Sequence, residues 1–148
     1  MTAQEALLPM SEADVDLWED VHEALLLAEP TSVSDIKITV EDGVVVLEGV
    51  VRTEVAKQLA PTIVGAVPGV KRVISRLVSD TELQIRVAAA ITADPRFRRC
   101  GPIRVESFLG NVRLQGRVPS AEHKVLAEQV ARQVPGVKAV INELTVGP

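Results

Sequence analysis

Alternation of apolar and polar residues predicts a β-hairpin in the first half of this chain. Every second residue from Ile36 to Val40 is apolar, which is typical of a half-buried strand. The dipeptide Asp42-Gly43 then predicts a tight turn, because glycine readily adopts positive φ. The inward positions expected on the return strand are Val45, Leu47 and Val51.

Apolar residues at helical spacing lie on both sides of this hairpin. Ser11 followed by Asp14 resembles a capping box and predicts that a helix starts near Ser11. Thr53 is a good N-cap for a second helix, in which Pro61 predicts a kink. The apolar stripes expected on the helices of the whole chain are Trp18, Val21, Leu25 and Leu26; Ala56, Leu59, Ile63 and Val67; Leu83, Val87, Ala90 and Ile91; and Leu126, Val130 and Val134.

The whole pattern occurs twice. Residues 36–78 align with residues 103–145 without a gap, at an offset of 67, and the Pro-Gly-Val-Lys element at 68–71 recurs at 135–138. Each copy reads as helix, strand, strand, helix, strand. A strand–helix–strand crossover gives a parallel pair. We therefore predict an α+β fold of two tandem modules at 11–79 and 81–148, preceded by a tail at 1–10. Each module has a three-stranded mixed sheet with two helices on one face.

Composition excludes several classes of protein. The chain is 47% hydrophobic and has a formal charge of −4, and its aromatic rings are few. Stacking of bases needs aromatic rings, and binding of phosphates needs positive charge. This chain has few rings and a negative net charge, so we expect no nucleic-acid partner. No apolar run approaches the roughly 20 residues that span a bilayer. Because the N-terminus MTAQEALLPM lacks the pattern of a signal peptide, we expect a cytoplasmic location.

Two stretches resemble a known family. The segment Asp42–Val51, with its Gly-Val-Val-Val-Leu-Glu-Gly run, and the repeated Val-Pro-Gly-Val-Lys element resemble the BON (bacterial OsmY and nodulation) domain. The resemblance covers nearly the whole chain. It implies the same sheet module and a non-catalytic role in phospholipid binding or envelope integrity under osmotic stress, with potassium sensing in some members.

Charge divides the two copies. Residues 1–80 hold 14 acidic and 6 basic side chains, whereas residues 81–148 hold 6 acidic and 10 basic ones. The first copy therefore has a net charge of −8 and the second of +4. Either the two copies attract each other, within or between chains, or the basic copy faces an anionic surface.

The outward face of the second strand is apolar in the first copy. Val44, Val46 and Val50 point away from the predicted core, and such a face is normally covered. Three covers are possible: the N-terminal tail with its Ala6-Leu7-Leu8 run, the other copy, or a second chain. If the cover is a second chain, these valines form the interface of a homodimer.

The second copy has arginines in the equivalent region. Arg113 and Arg117 point outward on its second strand, and an apolar hairpin tip at Phe108 follows a basic stretch. Apolar tip residues beside arginines suit insertion at an anionic phospholipid surface. The alternative is that the tip folds back onto the core and the arginines are solvated. The candidate lipid-binding residues are Arg96, Arg98, Arg99, Arg104, Phe108, Arg113 and Arg117.

Residues for catalysis or metal binding are sparse. His22, His123 and Cys100 do not have the spacing of a zinc site, and nothing in the sequence pairs Cys100 with a histidine base. We therefore expect no catalytic residue, no metal and no cofactor. Three functions remain open: a lipid-binding module, a homodimeric assembly module, and a module that senses potassium or another small ion.

Overall fold

A computed structural model describes residues 10–147, so the predicted covering segment Ala6-Leu7-Leu8 lies outside the described residues. The first module contains α1 (Glu12–Leu27), β1 (Ser34–Glu41), β2 (Val44–Val51), α2 (Glu54–Gly65) and β3 (Arg72–Ser79). The second contains α3 (Asp80–Ala93), β4 (Ile103–Phe108), β5 (Asn111–Val118), α4 (Ala121–Arg132) and β6 (Ala139–Val146). Short 3₁₀ turns at Glu29–Thr31 and Pro95–Phe97 follow α1 and α3.

Each module has one three-stranded mixed sheet. In the first the strand order is β1-β2-β3, with β1 antiparallel and β3 parallel to β2. In the second the order is β4-β5-β6 with the same directions. Two helices per module contribute to a core on one face of each sheet. The predicted α+β class, the element order and the duplication are confirmed.

A glycine repeated in both middle strands allows the hairpin strands to pair closely. A Cβ atom on Gly49 would lie 2.0 Å from the carbonyl oxygen of Asp35, and one on Gly116 would lie 2.8 Å from that of Pro102. Both glycines also have positive φ, of 128° and 140°. Any side chain here would collide with the neighbouring strand, which explains the shared Leu-x-Gly element.

Small residues form the sheet-facing stripe of the second helix in each module. Ala56, Ala60 and Val64 are buried on α2, whereas the predicted core residue Leu59 is 39% exposed. The corresponding buried positions on α4 are alanines as well. On α1 the prediction of Leu26 was wrong: it is 53% exposed, and Leu17 is buried instead. Alanine allows a helix to lie close against a sheet, and the larger residues then flank the contact.

The first helix of each module is joined to the hairpin turn by a carboxylate. Asp14 on α1 accepts hydrogen bonds from the backbone N–H groups of Asp42 and Gly43 at 3.1 and 3.3 Å. The Asp42 N–H lowers the pKa of Asp14, against desolvation, which acts to raise it. Because one charged acceptor satisfies both turn donors, this aspartate fixes the helix against the turn.

The two modules follow one another without a spacer. β3 ends at Ser79, and the same residue is the N-cap of α3. Its hydroxyl accepts from the N–H of Glu82, whose carboxylate accepts in return from the N–H of Ser79. This capping box starts the second module immediately after the last strand of the first. Helix α2 runs unbroken through Pro61.

Candidate functional site

The open face of the first sheet meets the second module at one end, which we call the junction. Val50 on β2 is 2% exposed and belongs to the core cluster of the second module. Its neighbour Val78 on β3 packs against the same cluster. A Cβ atom on Gly136 would meet the side chains of Val78 and Leu83, each at 3.0 Å. The second module therefore covers the row of the first sheet that contains Val50 and Val78, which we call the covered row.

An ion pair with a buried carboxylate lies at the centre of the junction. Arg52 donates to Asp80 at 2.6 Å and to the carbonyl oxygen of Ser107 at 2.8 Å. Its guanidinium also lies over the ring of Phe108, 4.5 Å from the centroid. The side chain of Asp80 is 2% exposed. A residue of the first module thus neutralises a carboxylate of the second.

Asp80 closes the second hairpin turn as Asp14 closes the first. It accepts from the N–H groups of Leu109 and Gly110 at 2.8 and 3.1 Å, and from the Ser107 hydroxyl at 2.7 Å. Burial acts to raise the pKa of Asp80, but these hydrogen bonds and that of Arg52 outweigh it, so the pKa is lowered. The carboxylate is therefore charged, and the junction is built around that charge.

Further polar contacts border the junction. Lys57 on α2 donates to Glu82 on α3 at 2.6 Å, and the Ser79 hydroxyl donates to Glu54 at 2.7 Å. Lys138 of the second module pairs with Asp35 on β1. These contacts surround the apolar centre at Val50 and fix how the modules meet.

The three valines predicted for a homodimer interface are covered to different extents. Val50 is covered by the second module of its own chain, which was one of the covers expected from the sequence. Val44 and Val46 lie further along β2, on the same face, and are half-buried. A dimer through these two valines stays a prediction, and Val50 is already occupied.

The open face of the second sheet mixes arginine with glutamate. Arg104 pairs with Glu106 at 2.8 Å, and Arg113 with Glu143 at 3.4 Å. Arg117 is exposed on the same face and lies diagonally across from Arg104 in the strand register. Two of the three arginines therefore have a carboxylate partner.

The arginines before β4 differ in whether they pair with a carboxylate or lie exposed. Arg96 donates to Asp94 and, through its hydrogen bonds, lowers the pKa of that carboxyl to about 2. Arg98 and Arg99 are exposed in the loop that leads into β4. We call Arg98, Arg99, Arg104 and Arg117 the basic end, because all lie where β4 begins and β5 finishes.

Phe108 is not part of the basic end. It is the last residue of β4, whereas Arg98 and Arg99 precede the first. Its ring is 53% exposed and contacts Arg52 of the first module. The structure thus separates the apolar tip from the arginine loop that the sequence placed together.

A shallow pocket of about 400 Å³ opens beside the arginine loop. It is lined in part by Ile91, Phe97, Arg98, Cys100 and Ile103. Cys100 is half-buried there, while His123 hydrogen-bonds to the Ser120 hydroxyl and the Arg96 carbonyl. Within residues 10–147 no cluster of His, Cys, Asp or Glu is arranged to hold a metal ion. No helix in this described part is long and apolar enough to cross a bilayer.

Sequence reasoning missed the residues of the junction. Neither Arg52 nor Asp80 was a candidate. Arg52 interrupts the repeat, because its position corresponds to Pro119 in the second module, whereas Asp80 corresponds to Asp14. Val50 likewise corresponds to Arg117 and Val78 to Thr145. Differences between the copies were the available signal, and they mark where one module contacts the other.

Comparison with known proteins agrees with this architecture. The chain is 37% identical over 71 residues to the outer membrane lipoprotein DolP of Haemophilus influenzae, a match that covers 48% of this chain and 37% of DolP. It therefore spans little more than a third of that relative.

Two solved structures of CdsD, a structural protein of the type III secretion system of Chlamydia trachomatis, share the fold. Their TM-scores are 0.73 and 0.74 at 17% identity, over 91% of this chain and 67% or 64% of theirs. The BON domain matches residues 13–78 and again residues 79–148. The chain therefore belongs to the BON domain family and contains two BON domains in tandem.

Proposed function

We propose that this chain is a non-catalytic binding module that associates with anionic phospholipid through the basic end of its second domain. The observation behind the proposal is the segregation of charge. The first module has a net charge of −8 and the second of +4, and the basic end is remote from the junction. An anionic surface attracts the second module and repels the first, which would orient the chain on a membrane.

The individual side chains support this assignment to different degrees. Arg98 and Arg99 are exposed in a loop, and Arg117 is exposed on the adjoining strand. Three others are partly neutralised by a carboxylate: Arg96 by Asp94, Arg104 by Glu106 and Arg113 by Glu143. Each arginine near an anionic leaflet contributes about 1 kcal/mol, so the exposed arginines would provide most of the attraction.

The relative DolP supports a place in the cell envelope. That protein is named as an outer membrane lipoprotein. On this basis we propose an envelope location for the present chain, in place of the cytoplasmic one expected from its sequence. The basic end would then contact a phospholipid leaflet directly.

Sedimentation with vesicles tests the proposal. The parent chain should pellet with phosphatidylglycerol vesicles at low salt, stay in solution with phosphatidylcholine vesicles, and lose binding at high salt as charges are screened. The variant R98E/R99E/R104E should bind at least tenfold more weakly, because each reversal replaces an attraction with a repulsion. Arg117 is left unchanged in this variant.

A matched control comes from the first module. The variant K37E/R72E/R76E reverses three exposed basic residues on the open face of the first sheet, with the same change in net charge. It should bind nearly as well as the parent chain. Equal weakening by both variants, or binding by the parent that ignores salt, would exclude the basic end as the lipid contact.

A further inference from the structure

The surface of the second module that forms the junction has a counterpart on the first module. In the second, Asp80, Leu83, Gly136 and Lys138 meet Arg52, Val50, Val78 and Asp35. The corresponding residues of the first module are Asp14, Leu17, Gly69 and Lys71. A repeated surface that is covered in one module is therefore present in the other, where it lines a pocket in the described part of the chain.

This counterpart, which we call the first-module face, is a pocket of about 470 Å³. Leu17 lies at its base beside Pro68 and Gly69. A Cβ atom on Gly69 would meet the Leu17 side chain at 3.6 Å, whereas one on Gly136 would meet Val78 of the other module and Leu83 at 3.0 Å. Among residues 10–147, none fills the space at the first-module face that Val78 fills at the junction.

Charge distinguishes the two surfaces further. On α3, Arg86 pairs with Glu82 at 2.9 Å, so the helix neutralises its own carboxylate. The corresponding residues on α1 are Asp20 and Asp16, two exposed acids one turn apart. Like charges at this spacing destabilise a helix. Asp16 and Asp20 line the pocket together with Asp14 and Asp42, so the first-module face attracts a cationic partner.

A cationic surface that corresponds to the other side of the junction exists in the chain itself. The end of the second module that corresponds to the covered row of the first presents Arg117, Lys124 and Thr145, which we call the distal edge. Lys124 corresponds to Lys57, which binds Glu82 at the junction, and Asp16 corresponds to Glu82. Arg117 corresponds to Val50, and Pro119 corresponds to Arg52, so at the distal edge the positive charge lies two residues before the position that binds Asp80 at the junction.

We propose that the first-module face binds the distal edge of a second copy of this chain, in the same arrangement as the junction within the chain. Lys124 then pairs with Asp16, and Arg117 reaches the carboxylates around Leu17. The contact joins two different surfaces, so it is heterologous and continues from chain to chain. It is held more by charge and less by apolar burial than the junction, so it is reversible and weakens with salt.

Mixing two blocked variants tests the direction of the contact. D16R/D20R removes the first-module face and keeps the distal edge, whereas R117S/K124S does the reverse without creating a charge that the altered face could attract. In vesicle-free buffer at low salt, sedimentation equilibrium should show the parent chain rising above its 15.9 kDa mass with concentration. Each variant alone should remain a monomer, and the equimolar mixture should form a dimer and nothing larger.

The matched controls are E19R/E23R and R132E. Glu19 and Glu23 are exposed on the same helix at the same spacing but do not line the pocket, and Arg132 is exposed on α4. Both controls should associate as the parent does, and circular dichroism should show all variants folded.

Three results would overturn the proposal. The first is a parent chain that stays monomeric at millimolar concentration and low salt. The second is a mixture of the blocked variants that forms no dimer. The third is association that appears only after residues 1–9 are deleted, which would assign the pocket to the chain's own tail.

Discussion

The first and second hairpin turns are closed in the same way but meet different surroundings. In both, an aspartate from the preceding helix accepts hydrogen bonds from two turn amides. Asp80 also binds Arg52 of the other module and the Ser107 hydroxyl, whereas Asp14 borders an open pocket. The same local structure therefore serves as an interface in one module and as an exposed surface in the other.

This difference shows how two copies of one domain come to present different surfaces at the same end of their sheets. One end of the first sheet has Val50 and Val78, which pack into the second module. The same end of the second sheet has Arg117 and Thr145 instead. Apolar residues at this position bury the row against a neighbour, whereas arginine keeps it hydrated unless an acidic surface approaches.

Exchanging the residue types at Val50 and at its counterpart Arg117 should give the largest effect on stability. Val50→Arg places a charge in the apolar centre of the junction and loses a fully buried side chain, so it should lower the free energy of unfolding by about 3 kcal/mol. The reciprocal Arg117→Val, on an exposed site, should change it by less than about 0.5 kcal/mol. Urea denaturation measures both. A similar loss in the two variants would contradict the asymmetry of the modules.

Removing the charge of the closing aspartates should have the next largest effect. Asp80→Asn leaves Arg52 without its partner and sets an amide against backbone donors, so we expect a loss of about 2 kcal/mol. Asp14→Asn should lose less, because within residues 10–147 no arginine is bound to the Asp14 carboxylate. Thermal unfolding of both variants at pH 7 provides the measurement, and a larger loss for Asp14→Asn would reverse the comparison.

The charge of Asp80 should also make the stability of the chain depend on pH. The pKa of Asp80 is lowered in the folded state, so its contribution is full above the pKa of the unfolded chain and is lost as the pH falls through the folded value. The parent chain should therefore lose stability below about pH 4. Asp80→Asn should flatten this dependence. Unfolding curves between pH 7 and pH 2 test it, and an unchanged slope in the variant would contradict the assignment.

The smallest expected effect concerns the residue before each turn glycine. Asp42 and Leu109 both have a φ of 50°, a conformation that aspartate tolerates better than leucine. Leu109→Asn should therefore stabilise the chain by about 1 kcal/mol, and Asp42→Leu should destabilise it by a similar amount. Calorimetric melting temperatures decide this. Stabilisation by the leucine substitution would show that packing, and not backbone strain, governs the turn.

Most of the fold could be predicted because it follows from local sequence patterns that occur twice. Strand alternation, turn glycines and N-caps such as Thr53 gave the order of elements. The helix stripes were less predictable, because Leu59 satisfies the same periodicity as Ala60 and has the larger side chain. Only the close approach of helix and sheet favours alanine, and that distance is a tertiary property.

The junction could not be read from either copy alone. Arg52 and Asp80 are ordinary charged residues at a strand end and a helix start, and their contact depends on how two folded units meet. The charge difference between the modules was visible in the sequence, but the position of the basic end was not. Phe108 shows the limit: it is near Arg104 in sequence, yet it lies at the other end of its strand.

Amide hydrogen exchange at the two hairpin turns tests the central comparison most directly. The amides of Leu109 and Gly110 are bound to a buried carboxylate beneath the first module, and those of Asp42 and Gly43 to a carboxylate beside an open pocket. In dilute protein at high salt, where chains stay apart, we expect the amides of Leu109 and Gly110 to exchange at least about tenfold more slowly than those of Asp42 and Gly43. Equal exchange at both turns would show that the second module is not covered by the first.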